Sequence, residues 1–298
     1  MYACSCHKVC KIILFCQLKN DILEKLFHIE GPNNGNADIS LVAELSPGQV
    51  SIVAVDNEKK IIHSWLYYTY AKNISQQERN LELDFFLENE AFFQQPFSSI
   101  HACCNSRETV LIPQEFYSGP VAMQAITLQY GYTNPPSIHS NSVKSEDAYI
   151  AYTWENTALD TWLQKFPLSI RHHSSALLLQ ASIHEGDYMQ CYISARWLKV
   201  IAFKDGVLQL LQNFPFETPA DAAYHLLNTF AQTGLDPKEN SLVIFGLIDE
   251  DSSLYVEIYK YFVHIRFQEN VEPFTLDEGL KEIPLRYYSA LIQMAKCV

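Results

Sequence analysis

Along the chain the apolar positions change period in the same order twice. Ser40–Leu45 and Gln49–Val55 alternate around a Ser46-Pro47-Gly48 turn, and Ile61–Tyr70 follows the polar stretch 56–60. That pattern predicts three successive antiparallel strands. A helix over about 76–93 comes next, with Leu81, Phe85, Phe86, Phe92 and Phe93 on its inner face. Strands at Ser99–Cys104 and Thr109–Ile112 follow, then a helix from Pro113 through about Leu128. In the second half, Tyr188–Ser194, Leu198–Phe203 and Val207–Asn213 read as three strands, the last two joined by the hairpin signal Asp205-Gly206. Thr218-Pro219-Ala220-Asp221 then opens a helix, with Thr as N-cap, Pro in the first turn and an acid on the helix dipole. Its buried stripe is Ala223, Leu226, Leu227 and Phe230, and Gly234 is its C-cap. Ser241–Leu247 reads as a buried strand, followed by a helix near 252–260, the strand His264–Phe267 and a terminal helix over 285–296.

The two halves keep their spacing. First strand to helix is 41 to 76 in one and 188 to 218 in the other; first strand to fourth strand is 41 to 98 and 188 to 241. This predicts a duplicated β-β-β-α-β-α unit of mixed sheets and helices, an α/β (α+β) chain with a cleft between its halves. The expected domains are 38–147 and 148–298, the segment 148–184 bridging them with a strand at Ala148–Trp154 and helices near 157–166 and 173–183. Residues 1–37 differ in texture. Four cysteines precede a short amphipathic helix expected at Ile22, Leu23, Leu26 and Phe27, and the polar stretch 31–36 reads as a linker. This opening is expected to be a loosely ordered tail.

Composition narrows the chemistry. With 21 Lys+Arg against 34 Asp+Glu the formal charge is −13, spread along the chain, which argues against nucleic acid as a partner. An apolar content of 48% against 18% charged residues predicts a folded chain with an ample core. The ten glycines never fall closer than four positions apart, so GxG, GG and GxGxxG are absent, and no pair has the P-loop spacing. Those loops need glycine because successive N–H groups converge on a phosphate only where no Cβ intervenes. No stretch has the length of a membrane span, and the run Ile12–Cys16 is too short for a signal peptide, so the expected compartment is the cytoplasm. The eight irregularly spaced cysteines fit a reducing compartment.

The stretches SLVAELSPGQVSIVAV (40–55), VLIPQEFY (110–117), LLQNFPFETPADAAYHLLNTF (210–230) and SLVIFGLI (241–248), in this order, resemble a bacterial family of unknown function, DUF3822. Its members carry the duplicated ribonuclease-H-like fold of the actin, hexokinase and Hsp70 superfamily. The resemblance covers roughly 38–298 and implies an actin-like ATPase architecture. In active members of that superfamily, an acid and a glycine in each first hairpin hold metal-bridged phosphates, and paired glycines after a fourth strand meet the nucleoside. Here the first hairpin offers Glu44, Ser46 and Gly48, displaced, with Pro47 removing an N–H donor. The second reads Ser194-Ala195-Arg196-Trp197, with neither acid nor glycine, and the fourth strand ends in a single Gly246 before bulky residues. The resemblance therefore implies a degenerate member in which these positions are vestiges of a nucleotide cleft. Arg196 stands where an acid should face phosphate and is expected to be salt-bridged, with direct anion binding as the other reading.

Other candidate chemistry is thin. Cys4, Cys6, His7, Cys10 and Cys16 are soft-ligand types, but they lack paired knuckles, so a metal or redox role for them is a minor reading. His184-Glu185 does not complete HExxH; His172, His173 and His184 are expected at the surface or core edge. The run 249–251 is expected to be a solvated acidic loop. Trp65, Tyr67, Tyr68 and Tyr70 load both faces of one strand and need a cover, either a helix or another protein. The leading expectation is a catalytically inactive protein without cofactor or metal, acting by binding another protein, or a ligand, at the interdomain cleft or an exposed aromatic face. The alternative is an ATP- and magnesium-dependent phosphotransferase or ATPase using Glu44 as its catalytic carboxylate.

Overall fold

Three apolar segments alternating with two tight turns fold back on one another at the front of the chain. They form β2 (Ile39–Leu45), β3 (Gln49–Asp56) and β4 (Ile61–Tyr70), following β1 (Leu23–Ile29). The computed structural model describes residues 23–29, 38–71, 74–134, 136–154, 158–194 and 197–298. Every position of β3 is buried, as expected of a central strand covered on both faces. After α1 (Gln76–Asn89), β5 (Ser99–Cys104) pairs parallel to β2. The chain then makes a small sheet from β6 (Thr109–Pro113), β7 (Ser137–Val143) and β8 (Ala148–Trp154), in strand order β6-β8-β7, with α2 (Gly119–Tyr130) connecting β6 to β7. Next come α3 (Ala158–Lys165), β9 (Ile170–His173) and α4 (Ser174–Gln180). Because β9 pairs parallel to β5, the first sheet runs β1-β4-β3-β2-β5-β9.

The second half builds β10 (Tyr188–Ser194), β11 (Trp197–Lys204), β12 (Val207–Pro215), α5 (Pro219–Thr233), β13 (Ser241–Gly246), α6 (Ser253–Tyr259) and β14 (Ile265–Phe267). Its sheet runs β12-β11-β10-β13-β14. Around β10 the second sheet thus has two antiparallel strands on one side and two parallel strands on the other; the first sheet repeats this around β2, with β1 added beyond β4. The chain closes with β15 (Thr275–Leu276) beside β4, α7 (Glu278–Lys281) and α8 (Ser289–Ala295).

Local signals at the helix ends behave as their chemistry dictates. Thr218 and Asp221 form a capping box with Pro219 in the first turn, and Gly234 closes α5 in the left-handed conformation. Ser75 and Glu78 cap α1 in the same way. Two expectations are overturned, and a third is settled between its two readings. Ile22 lies outside the described residues, and Leu23, Leu26 and Phe27 are not helical: 23–29 is a strand antiparallel to β4, because a helix that short has little stability of its own while β4 offers a ladder. The inner face of α1 is Leu83, Phe86 and Leu87, whereas Leu81 and Phe85 are 62% and 66% exposed. Phe92 and Phe93 are buried, but on a separate 3-10 turn over 91–94, so they do not share the helix phase. Finally, the aromatics of β4 are all buried. Phe27 stacks on Trp65 at 4.7 Å and Tyr288 lies 5.0 Å from it, while Phe86 covers Tyr68 at 4.3 Å. The strand's own neighbours cover both faces, so no exposed aromatic face exists there.

The core sits between the two sheets. Every residue of α8 is buried, and the helix packs on β2, β3, β13 and α4. Tyr192, Ile201, Phe203 and Phe245 of the second half lie in one apolar cluster with Val42, Ile52, Trp65 and Leu291. Among the described residues no helix is long and apolar enough to cross a membrane.

Candidate functional site

Glu44 lies one residue from the end of β2, opposite Ser51 of β3 and beside Cys103 of β5. It is fully buried. A carboxylate there needs donors, and it has two. Asn105 Nδ2, just past β5, donates to Oε1 at 2.7 Å, and the Tyr192 hydroxyl on β10 donates to Oε2 at 2.6 Å. The Tyr192 oxygen in turn accepts from Gln49 Nε2 at 3.2 Å, and Gln49 Oε1 accepts from the Tyr67 hydroxyl at 2.7 Å. The network therefore starts on β4 and β3 and crosses to the central strand of the second sheet.

Lys199 on β11 brings a cation to the same seam. It is buried, and its Nζ donates to Ser175 Oγ at 2.5 Å. Ser175 is the second residue of α4, where its N–H donates to the Nδ1 of the N-cap His173 at 3.2 Å. His173 Nε2 lies 3.1 Å from the Ser106 carbonyl and donates to it, so the ring is neutral with its proton on Nε2. Burial holds His173 well below the usual histidine range, assisted by the Lys199 charge. Burial also pushes the Glu44 carboxyl up to about 7, against the pull of Tyr192, Lys199 and Asn105. It lowers Lys199 to about 8, against the Glu44 charge. Cys103 and Cys104, buried beside this group, are raised as well, chiefly by burial. Burial thus shifts both residues toward their neutral forms.

The other expected positions lie around this seam rather than in it. Ser46 Oγ accepts from the Gln49 N–H at 3.1 Å, and the carbonyls of Pro47 and Gly48 accept from Arg79 Nη1 at 2.9 Å and from the Tyr70 N–H at 3.1 Å. The first hairpin is thereby tied to β4 and α1. Ser194 closes the β10–β11 pairing opposite Trp197. Arg196 lies outside the described residues, as do Cys4, Cys6, His7, Cys10 and Cys16. Gly246 has a local cause. Its φ is +107°, and a Cβ would stand 2.0 Å from the Ile193 carbonyl oxygen, so only glycine lets β13 end this close to β10. The acidic loop beyond it is engaged: Asp249 Oδ1 accepts from Arg286 Nη2 and Oδ2 from the Tyr287 hydroxyl, both at 2.6 Å, while Arg286 Nε donates to the Ile248 carbonyl at 2.7 Å. The segment leading into α8 therefore covers the end of β13.

Of the histidines, His172 Nε2 pairs with His101 Nδ1 at 3.2 Å, and His184 meets Glu146. Among the described residues no three His, Cys, Asp or Glu side chains converge as a metal site. Sequence reasoning singled out Glu44 but missed Asn105, Tyr192 and Lys199. Lys199 carried a signal: it is the charge inside the apolar run Trp197–Phe203, where a lysine needs a partner.

A model of the family described as "Protein of unknown function (DUF3822)" matches residues 33–265. The chain belongs to the DUF3822 family. Among curated proteins, none matches. A Bacteroides thetaiotaomicron protein with an actin-like ATPase fold and unknown function aligns with a TM-score of 0.66 at 14% identity, over 78% of this chain and 91% of that one. The PilM–PilN type IV pilus biogenesis complex aligns with a TM-score of 0.56 at 11% identity, over 86% and 98%. At such identities the likeness shows the fold alone: this DUF3822 chain has an actin-like ATPase fold.

Proposed function

We propose that this DUF3822 chain is a catalytically inactive member of the actin-like fold and works by binding another protein. The observation that carries the reading is the engagement of Glu44. Both carboxylate oxygens are taken, one by Asn105 and the other by a tyrosine from the opposite half. A carboxylate serving a metal-bridged phosphate must keep an oxygen free and wetted; this one is buried under side chains that already satisfy it. The cover of Arg286 and Tyr287 over the end of β13 points the same way. Protein partnering is in keeping with the PilM–PilN complex, a protein assembly on the same architecture.

Thermal unfolding with ATP, ADP and GTP, each with and without magnesium, tests the reading. Ligand at a hundredfold excess over Kd adds about 2.7 kcal/mol, which moves the Tm of a chain this size by several degrees. The expected panel is flat at millimolar nucleotide. A magnesium-dependent rise, with turnover lost in Glu44→Gln, would overturn inactivity and make the chain an ATPase or phosphotransferase.

A further inference from the structure

α1 turns two large apolar side chains to solvent. Leu81 and Phe85, 62% and 66% exposed, stand four residues apart, so they share one stripe on the side away from Leu83, Phe86 and Leu87. Acids flank that stripe: Glu78, Asp84 and Glu88 are all exposed. Over Gln76–Asn89 four acids stand against Arg79 alone, and the Arg79 guanidinium is turned onto the Pro47 and Ile74 carbonyls. Glu78 also caps the helix, and Glu88 also takes Lys165 at 3.0 Å. Among the described residues two other helices expose such an apolar pair, and neither is acidic. α2, with Met123 and Leu128, has no charged residue, and α6 sets Val256 and Tyr259 beside the ion pair of Glu257 and Lys260.

The complementary chemistry lies on the same chain. Residues 8–19, which lie outside the described residues, read Lys-Val-Cys-Lys-Ile-Ile-Leu-Phe-Cys-Gln-Leu-Lys, three lysines and no acid. Residues 1–20 hold no other Lys, Arg, Asp or Glu, so they carry +3 and the remainder of this −13 chain carries −16. The place where the segment joins the fold is fixed. Leu23, the first residue of β1, lies opposite Tyr70, the last of β4 and six residues before Gln76 opens α1, and β1 touches α1. Lys19 stands four residues before that anchor and Lys8 fifteen. The stripe from Glu78 to Glu88 is about 15 Å long, which a chain of about 3.3 Å per extended residue spans easily. We propose that residues 8–19 dock on the outer face of α1, their lysines against Glu78, Asp84 and Glu88 and the apolar run 12–16 over Leu81 and Phe85. A tether this short holds the segment at an effective concentration on the order of millimolar, so it takes the face ahead of a free partner of equal affinity. A second copy fits worse, because two α1 faces oppose acid to acid.

Carbodiimide cross-linking of the dilute full chain, mapped by mass spectrometry, tests this. Lys8, Lys11 or Lys19 is expected to join Glu78, Asp84 or Glu88 within one chain, with the Lys165–Glu88 pair of the fold as internal standard. Leu81→Ser/Phe85→Ser is expected to reduce the first set about fivefold and to leave the standard and the far-UV circular dichroism unchanged. Because that variant alters α1 itself, Lys8→Glu/Lys11→Glu is the second. Tryptic cleavage after Lys19 is expected to quicken about fivefold in either variant, and in wild type at high salt. The proposal is overturned if residues 8–19 cross-link to no acid of α1, if such cross-links appear only in a dimeric product, or if cleavage after Lys19 proceeds at one rate in all three proteins.

Discussion

A carboxyl group removed from water keeps its proton longer, and Glu44 is placed to show that as a dependence of stability on pH. Its folded value of about 7 lies above the ordinary 4.5, so its stabilising contribution is full below the lower value and is lost as pH rises through the upper one. At about 1.4 kcal/mol per tenfold change in proton affinity, the loss is on the order of 3 kcal/mol. Lys199 works in the other direction. Lowered from 10.5 to about 8, it contributes stability that is present at high pH and lost as pH falls through 8. The pair is least favourable near neutrality. Denaturant unfolding of wild type is expected to show stability falling between about pH 5 and 7, and Glu44→Gln to flatten that fall; equal slopes would mean that the folded carboxyl titrates normally. The glycines give a second contrast. Gly246→Ala puts a Cβ against the Ile193 carbonyl at positive φ, and is expected to cost about 3 kcal/mol or more. Gly48 has nothing within 4 Å of its Cβ position, so Gly48→Ala should stay within about 1 kcal/mol of wild type in the same assay. Glu44 was legible because an acid interrupts the apolar run 41–45. Tyr192 and Asn105 were not, since tyrosine belongs in any strand core and Asn105 reaches Glu44 only through the parallel pairing of β5 with β2.

At the scale of elements, turn and cap chemistry is what made the sequence readable. The hairpins at 46–48 and 205–206 and the cap at Thr218 act within a few residues, and all are present. Elements defined by a distant neighbour were harder to read. β9 is a four-residue strand that exists because β5 offers an edge, and Ile170-Arg171-His172-His173 has no strand period of its own. The facing of α1 is the instructive miss: counting phenylalanines placed Phe85 inside. At 100° per residue, only Leu83, Phe86 and Leu87 share a stripe that reaches β4 and the 3-10 turn. Adjacent substitutions check this directly. Phe86→Ala removes a ring packed against Tyr68 and Phe93 and is expected to cost about 3–5 kcal/mol. Phe85→Ala, at a 66% exposed position, is expected to change stability by no more than about 0.5 kcal/mol. Equal losses at the two positions would contradict the packing of α1.

Over the whole molecule, duplicated topology argues for two units while the packing argues for one. Chains much longer than about 150 residues commonly unfold through intermediates, one domain at a time. Here the two sheets share their interior. α8 belongs by sequence to the second half but lies buried on β2 and β3 of the first, and α4 packs against it. Tyr192, Ile201, Phe203 and Phe245 sit in the first half's apolar cluster, and the Glu44–Tyr192 bond crosses the same seam. Separating the halves would expose that apolar cluster to water and break the Glu44–Tyr192 and Lys199–Ser175 bonds that cross the seam. One cooperative transition is therefore expected in reducing buffer, with calorimetric and van't Hoff enthalpies equal and with tryptophan fluorescence coinciding with far-UV circular dichroism. The seam's share can be isolated by combining Glu44→Gln with Tyr192→Phe. Residues in direct contact couple by about 0.5–3 kcal/mol, and a coupling in that range measured against the single variants would place this bond among the forces joining the halves. Two resolved transitions with zero coupling would instead describe halves that unfold independently.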